Sequence, residues 1–391
     1  MNIIDYMKWR GDLSFKVSPF NEVDNLIISY FSYVTVEDYV KDGKEYTVRE
    51  LYEMYKKDHD IEKMLKSSSF IAKVPLVLQA MAECDRYRDC LVHDCVASLS
   101  EDRTEQFAAM QVDLDDGTTY IAFRGTDDTL IGWHEDFCLS YKTTESQISA
   151  YRYLKEHLKR FRKYRIGGHS KGGNLALYAV LSYPEVLDKV INIYSNDGPG
   201  INLELLSEGF MDNLELLKDK YIKIVPEFDV IGTIYGFEMN KLVVKSDRFS
   251  LIQHDGLSWQ VEGTHFIKGR ASKDSKLIEK AFISFLAIAD FKQREKLVKD
   301  LFNTFDEAGV KRISDFDKLG TAGIIKTIMK FGDMNEDSKK VAAILMKCFV
   351  SEYKDSFLEE TGNLRNDISS KINKALASRT SEKNSRKDDK K

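Results

Sequence analysis

The segment Gly168-His169-Ser170-Lys171-Gly172 sets a serine between two glycines, each two residues away. A serine hydroxyl is a weak nucleophile unless a neighbouring base takes its proton, and that base needs an acid to orient it. A serine held on a sharp strand-to-helix turn has a strained backbone, so the positions around it must lack bulk. Gly168 and Gly172, with Gly173 beside it, meet that demand. The helix that follows would aim its positive end at a developing oxyanion. The pattern therefore predicts acyl transfer with Ser170 as nucleophile.

The base and acid should follow in the chain, in the order serine, acid, histidine. Two histidines come after Ser170. His254, in Gln253-His254-Asp255-Gly256, lies in a loop-like stretch and is the expected base. His265 has apolar neighbours and reads as a structural residue, as does His169 next to the nucleophile. Asp229 is the expected acid, because it follows a predicted strand over 221–225 and a parallel sheet presents its chemistry at strand carboxyl ends. Asp197 competes, but Asp197-Gly198-Pro199-Gly200 is explained by a tight turn. The expected catalytic residues are thus Ser170, Asp229 and His254. For the oxyanion, one donor should be the backbone N–H of Lys171 and the other Thr126, which ends a predicted strand behind Gly125.

The elements that must position these residues are legible as changes of period. Apolar residues recur at helical spacing over 48–66 and 74–84, and Asn21-Glu22-Val23-Asp24 reads as a helix start. Two β-rich runs, 106–114 and 118–123, flank Asp115-Asp116-Gly117, a hairpin signal. Strands follow near 164–168, 190–194, 221–225 and 241–245. Helices over 146–164, 172–181 and 203–217 separate them. Strands alternating with helices predict an α/β fold with a mostly parallel sheet covered on both faces.

Composition bounds the rest. The chain has 391 residues, 43% hydrophobic and 31% charged, with a formal net charge of -5 and no basic face of the kind nucleic acid requires. Five cysteines, at 84, 90, 95, 138 and 348, match no metal-ligand spacing and fit reduced thiols in a cytoplasm. The first ten residues lack the apolar core of a signal peptide. The longest nearly uncharged apolar stretch, 281–289, is far short of the ~20 residues a membrane span needs. A cytoplasmic protein that needs no metal or organic cofactor is expected. An amphipathic run at 322–331 leaves peripheral membrane contact open, with packing against the core or a partner the commoner explanation.

These pieces together resemble one family. Phe123-Arg124-Gly125-Thr126, followed by Trp133 and Asp136-Phe137, is similar to the oxyanion loop of the class-3, fungal-type triacylglycerol lipases. Gly168 to Ala176 resembles their nucleophile elbow, and 226–232 their aspartate loop. Trp9-Arg10-Gly11-Asp12-Leu13-Ser14-Phe15 and Pro19-Phe20-Asn21-Glu22-Val23-Asp24 are similar to an uncharacterised bacterial branch related to those lipases. The resemblance spans roughly residues 1–270. It implies an α/β-hydrolase fold, a carboxylic ester as substrate, the triad Ser170, Asp229 and His254, and an oxyanion hole from Thr126 and Lys171. This sequence departs from the lipases in two places. Lys171 stands where they carry an aliphatic residue, and its charge would sit at the pocket mouth and favour anionic substrates. The segment 127–143 is short and acidic, without a recognisable amphipathic lid.

The expected organisation is a mainly helical part over 1–100, a hydrolase core over 101–293, a helical extension over 294–377 and a charged tail over 378–391. Two other readings use the same residues: a thioesterase or acyltransferase, and a non-catalytic binding module in which the C-terminal helices dock a partner or cover the pocket.

Overall fold

The computed structural model describes residues 1–312 apart from 42, 67–70, 128, 207, 236–238, 308 and 310. The expected helices after residue 312, the amphipathic run at 322–331, Cys348 and the charged tail lie outside the described residues.

Eight strands form one sheet whose spatial order is the order of the chain. They are β1 (Tyr46–Thr47), β2 (Leu91–Ser100), β3 (Glu105–Asp113), β4 (Thr119–Phe123), β5 (Tyr164–His169), β6 (Val190–Asn196), β7 (Tyr221–Pro226) and β8 (Lys241–Val244). β1 to β4 pair antiparallel, β3 and β4 through the expected Asp-Asp-Gly turn. From β4 to β8 every pairing is parallel. A two-stranded ribbon, β9 (Val261–Glu262) with β10 (His265–Phe266), closes the sheet's far side.

The two faces are covered by different parts of the chain. On one lie α1 (Ile3–Arg10), α2 (Glu22–Phe31), α3 (Val48–Asp58), the short α4 (Ile61–Met64) and α5 (Val74–Glu83). Their apolar sides share a core with Val112, Tyr120, Ala122 and Ile224 of the sheet. On the other face α7 (Glu145–His157), α8 (Lys171–Ser182) and α9 (Glu208–Leu217) pack over Ile121, Phe123, Ile166 and Ile193. Successive residues of β4 thus enter opposite cores, which is why the strand is buried along its whole length. This is the α/β architecture that the alternating pattern predicts.

Local chemistry sets the helix starts. Asn21 caps α2 with Asp24 reaching back to it, and Thr144 and Gln147 do the same for α7. Asp24 also anchors the N-terminal segment, because Arg86 pairs with it at 2.6 Å with both side chains wholly buried. Arg86 gives its remaining donors to the carbonyls of Leu13, Ser18 and Pro19.

Several elements differ from the sequence expectation. The run 48–66 is broken at His59, and Asp60 caps a new turn, α4. α7 ends at His157, short of the expected 164. β2 has no counterpart among the expected strands, because the register shift between His93 and Val96, with Asp94 at φ 49°, breaks its alternation. The segment 127–143, read as short and acidic with no assigned element, carries α6 (Leu130–Cys138), capped by Thr129.

After β10 come α10 (Lys273–Ile288) and α11 (Phe291–Glu307). α11 crosses the expected 293/294 boundary and lies on α6. Val298 and Phe302 meet Leu130 and Cys138, the Phe302 ring stacks on His134 at 4.5 Å, and the Leu130 N–H donates to Lys311 O at 2.9 Å.

Candidate active site

Ser170 occupies the turn between β5 and α8 with φ 57° and ψ −131°. Few non-glycine residues adopt a positive φ, so this backbone is strained and held by its surroundings. The hold comes from the end of β4. A Cβ on Gly172 would lie 2.1 Å from Phe123 O, and one on Gly168 would lie 2.4 Å from the same oxygen. The two glycines let the turn press against the neighbouring strand. The Ser170 N–H donates to Asn196 O at 2.9 Å, tying the turn to β6 on the other side.

His254 ends the 3-10 turn Ser250–His254, and its Nδ1 lies 2.7 Å from Asp197 Oδ2. The acid beside the histidine is therefore Asp197, not Asp229. Asp197 is buried, follows β6 and has φ 48°. The strand order explains the difference from the expectation. β6 is next to β5, whereas β7 is one strand of about 4.8 Å further from the serine. Burial pushes the Asp197 carboxyl up, but the hydrogen bond and charge of His254 outweigh that and hold it below the usual range. Asp229 is buried after the next strand, and its carboxyl crowds Gly232 together with that of Asp197 instead of meeting the imidazole.

His169 is enclosed by Tyr33 OH on Nδ1 at 3.0 Å and by the His254 carbonyl on Nε2 at 2.8 Å. Burial, then the nearby His254, pushes His169 down to about 3, so the ring stays neutral. It supports the His254 backbone and packs 4.6 Å from that ring. The loop is held from α2 as well, where Tyr30 OH accepts from the Gly256 N–H and donates to Asp255 Oδ1 at 3.2 Å. His265, expected to be packed among apolar neighbours, is instead mostly exposed, 3.9 Å from Glu22.

Lys171 opens α8, the place expected for an oxyanion donor, but its side chain turns into the protein. It is about 1% exposed, and its Nζ donates to Gln106 O at 2.7 Å, Gln106 Oε1 at 2.9 Å and Glu135 Oε2 at 2.9 Å. The expected preference for anionic substrates has no basis in this geometry. Glu135 also accepts from Ser146 and from the Gln106 N–H. Burial opposes its ionisation, yet Lys171 beside it holds the carboxyl below its ordinary range. Thr126 is buried after β4, and its hydroxyl donates to Asp136 Oδ2 at 2.5 Å. Burial raises the Asp136 carboxyl to about 6.

Sequence reasoning placed Asp197 second to Asp229 and missed two supports. One is a buried polar knot in which Asn25 Nδ2 donates to Asn196 Oδ1 at 2.8 Å, Tyr120 OH donates to Asn25 Oδ1 at 2.7 Å, and Asn196 Nδ2 donates to Gly168 O at 3.1 Å. The other is the Lys171–Glu135 pair. Both join residues far apart in the chain, and no local pattern announces them. Among the described residues no cluster of side chains could hold a metal ion, and no helix is long and apolar enough to cross a membrane.

Similar structures include three lipases. The M37 lipase is 17% identical, with a TM-score of 0.33 over 53% of this chain and 68% of its own. Lipase II from Rhizopus niveus is 15% identical, with a TM-score of 0.31 over 48% and 79%. The Rhizomucor miehei lipase, as its native propeptide complex, is 16% identical, with a TM-score of 0.32 over 63% and 82%. No curated protein matches the chain in sequence. The Mbeg1-like family model matches residues 81–303, more than half of the chain and the whole region from β2 to α11 that carries the elbow, Asp197 and His254. The chain belongs to the Mbeg1-like family.

Proposed function

We propose that this chain hydrolyses carboxylic esters through an acyl-enzyme on Ser170, with His254 as base and Asp197 as the acid that orients it. The observation that carries the reading is the 2.7 Å contact between His254 Nδ1 and Asp197. It fixes the tautomer so that Nε2 is the nitrogen able to take a proton, and Asp197 follows β6, the strand next to the one that leads into the strained Ser170 turn.

The steps follow from these positions. Ser170 Oγ attacks the ester carbonyl carbon while its proton passes to His254 Nε2. The carbonyl π electrons move onto oxygen, where the Lys171 N–H and Thr126 are the expected donors. The C–O bond to the alcohol then breaks, and the imidazolium returns the proton to the leaving oxygen. Water, deprotonated by His254, attacks the acyl carbon; the bond to Ser170 Oγ then breaks, the imidazolium returns the proton to Oγ, and the acid leaves. Asp197 stabilises the imidazolium throughout and keeps its own charge.

A fluorophosphonate probe tests this directly. Labelling of the full chain that disappears in Ser170→Ala supports the reading, and a panel of p-nitrophenyl esters then ranks acyl length. A folded protein that neither labels nor cleaves any of the esters overturns it.

A further inference from the structure

Behind the His254–Asp197 contact lies a second carboxyl that the ester-hydrolysis reading does not use. Asp197 and Asp229 follow adjacent parallel strands, both are about 1% exposed, and Asp197 Oδ1 and both Asp229 carboxyl oxygens are buried without a hydrogen-bond partner among the described residues. Gly232 closes over the pair, so that a Cβ there would lie 2.7 Å from Asp229 Oδ1 and 2.9 Å from Asp197 Oδ1. A hydrogen bond between two carboxyls needs a proton on one of them, and two bare carboxylates in such a place repel.

The surroundings decide which one carries it. Asp197 accepts from His254 at 2.7 Å, a contact that favours the carboxylate form. Asp229 has no such donor among the described residues. Lys241 Nζ stands 3.6 Å from Asp229 Oδ2, longer than a hydrogen bond, and Lys223 Nζ donates to Gly232 O. Ser275, on α10, donates to the Asp229 carbonyl at 2.5 Å and not to its carboxyl. The groups facing the pair are thus Lys223 from β7, Lys241 from β8, His169 from β5 and His254 from its turn.

We propose that Asp229 is a positioning residue that keeps its proton at neutral pH and gives it as a hydrogen bond to Asp197, fixing the carboxylate that orients His254. This rests on the ester-hydrolase reading for its consequence, but the shared proton does not. Burial and then the charge of Asp197 drive the Asp229 carboxyl well above the ordinary range, in the direction the geometry requires. A neutral donor at this point has two effects. It stops Asp197 from rotating away from the imidazole, and it lowers the basicity of Asp197, so that the imidazolium proton stays on His254 during turnover.

The test has one arm that needs no activity. Infrared difference spectra of the full chain with 13C-labelled aspartate, at a pH well above 6 so that Asp136 is ionised, should show a protonated-carboxyl C=O band. The band should be missing in Asp229→Asn. No such band in the wild type, or one that survives the substitution, overturns the proposal whatever the enzyme does. The second arm is the rate of fluorophosphonate labelling at Ser170. Asp197→Asn should lose about 10⁴-fold, as removal of a triad acid does. Asp229→Leu should lose about 10- to 100-fold, the range for an outer partner of a functional histidine. Asp229→Asn, which still donates but cannot ionise, should recover most of that loss and flatten the alkaline limb of the pH profile. If Asp229→Asn costs as much as Asp197→Asn, Asp229 is the orienting acid and the proposal is wrong. A wild type that never labels defeats the hydrolase reading alone, and the infrared arm still decides where the proton is.

Discussion

Lys171 Nζ and Glu135 Oε2 meet at 2.9 Å inside the protein, each side chain about 1% exposed, on the residue that directly follows Ser170. A buried pair of this kind adds little net stability over an apolar pair, but removing one partner strands the other charge. Lys171→Met should therefore destabilise the protein by about 3–5 kcal/mol in urea unfolding. Adding Glu135→Gln, which keeps an acceptor for Ser146 and the Gln106 N–H, should restore much of that loss. A single variant as stable as wild type would show that the pair is not closed to water.

The strained turn makes its own prediction. Ser170 at φ 57° stores about 1–3 kcal/mol that only glycine can release. Ser170→Gly should unfold at a higher denaturant midpoint than Ser170→Ala, although both remove the hydroxyl. Equal midpoints for the two variants would mean the turn relaxes without cost.

Asp136 gives a pH signature. Its folded-state carboxyl is raised from 3.8 to about 6, so the folded protein binds the proton more tightly than the unfolded chain does. The stability this contributes is present in full below the unfolded value and disappears as pH rises through about 6. Asp136→Asn cannot lose a proton. The stability of the wild type relative to this variant should therefore fall between about pH 4 and 6, read from paired melting curves. A flat difference across that window would place Asp136 in contact with water.

Phe302 links α11 to α6. It stacks on His134 at 4.5 Å and meets Phe137 edge-on at 5.5 Å. Phe302→Ala should cost about 3 kcal/mol locally. In hydrogen exchange, the α6 amides should speed up by about 10²-fold while those of β4 to β7 stay slow. Faster exchange across the sheet would mean that α11 supports the whole fold instead of this one helix.

The turn around Ser170 is legible in the sequence because its requirements are local: a strand, two small residues and a helix start within about ten positions. The α/β class is legible for the same reason, since burial on both faces of β4 leaves an unbroken apolar run. The acid is not. Choosing between Asp197 and Asp229 requires the spatial order of β5, β6 and β7, and each aspartate ends a strand in the same way. The burial of Lys171 is hidden too, because a lone lysine reads as exposed until its partner Glu135, 36 residues away, is placed beside it. β2 escapes because a register shift erases the alternation on which strand reading depends.

The consecutive strand order has a kinetic side. Every strand of the sheet pairs with the strand made just before it, so a chain emerging from the ribosome always has a template edge waiting. The candidate site has no such advantage. Tyr30 meets the Gly256 N–H only after 226 further positions have been synthesised, and the first residue's carbonyl waits for the Val261 N–H. The sheet can thus grow during translation, while His254 cannot reach Asp197 until the C-terminal third of the chain has begun to appear. A nascent chain stalled before residue 254 would carry a folded-looking scaffold and the strained Ser170 turn, with Asp197 still lacking its histidine.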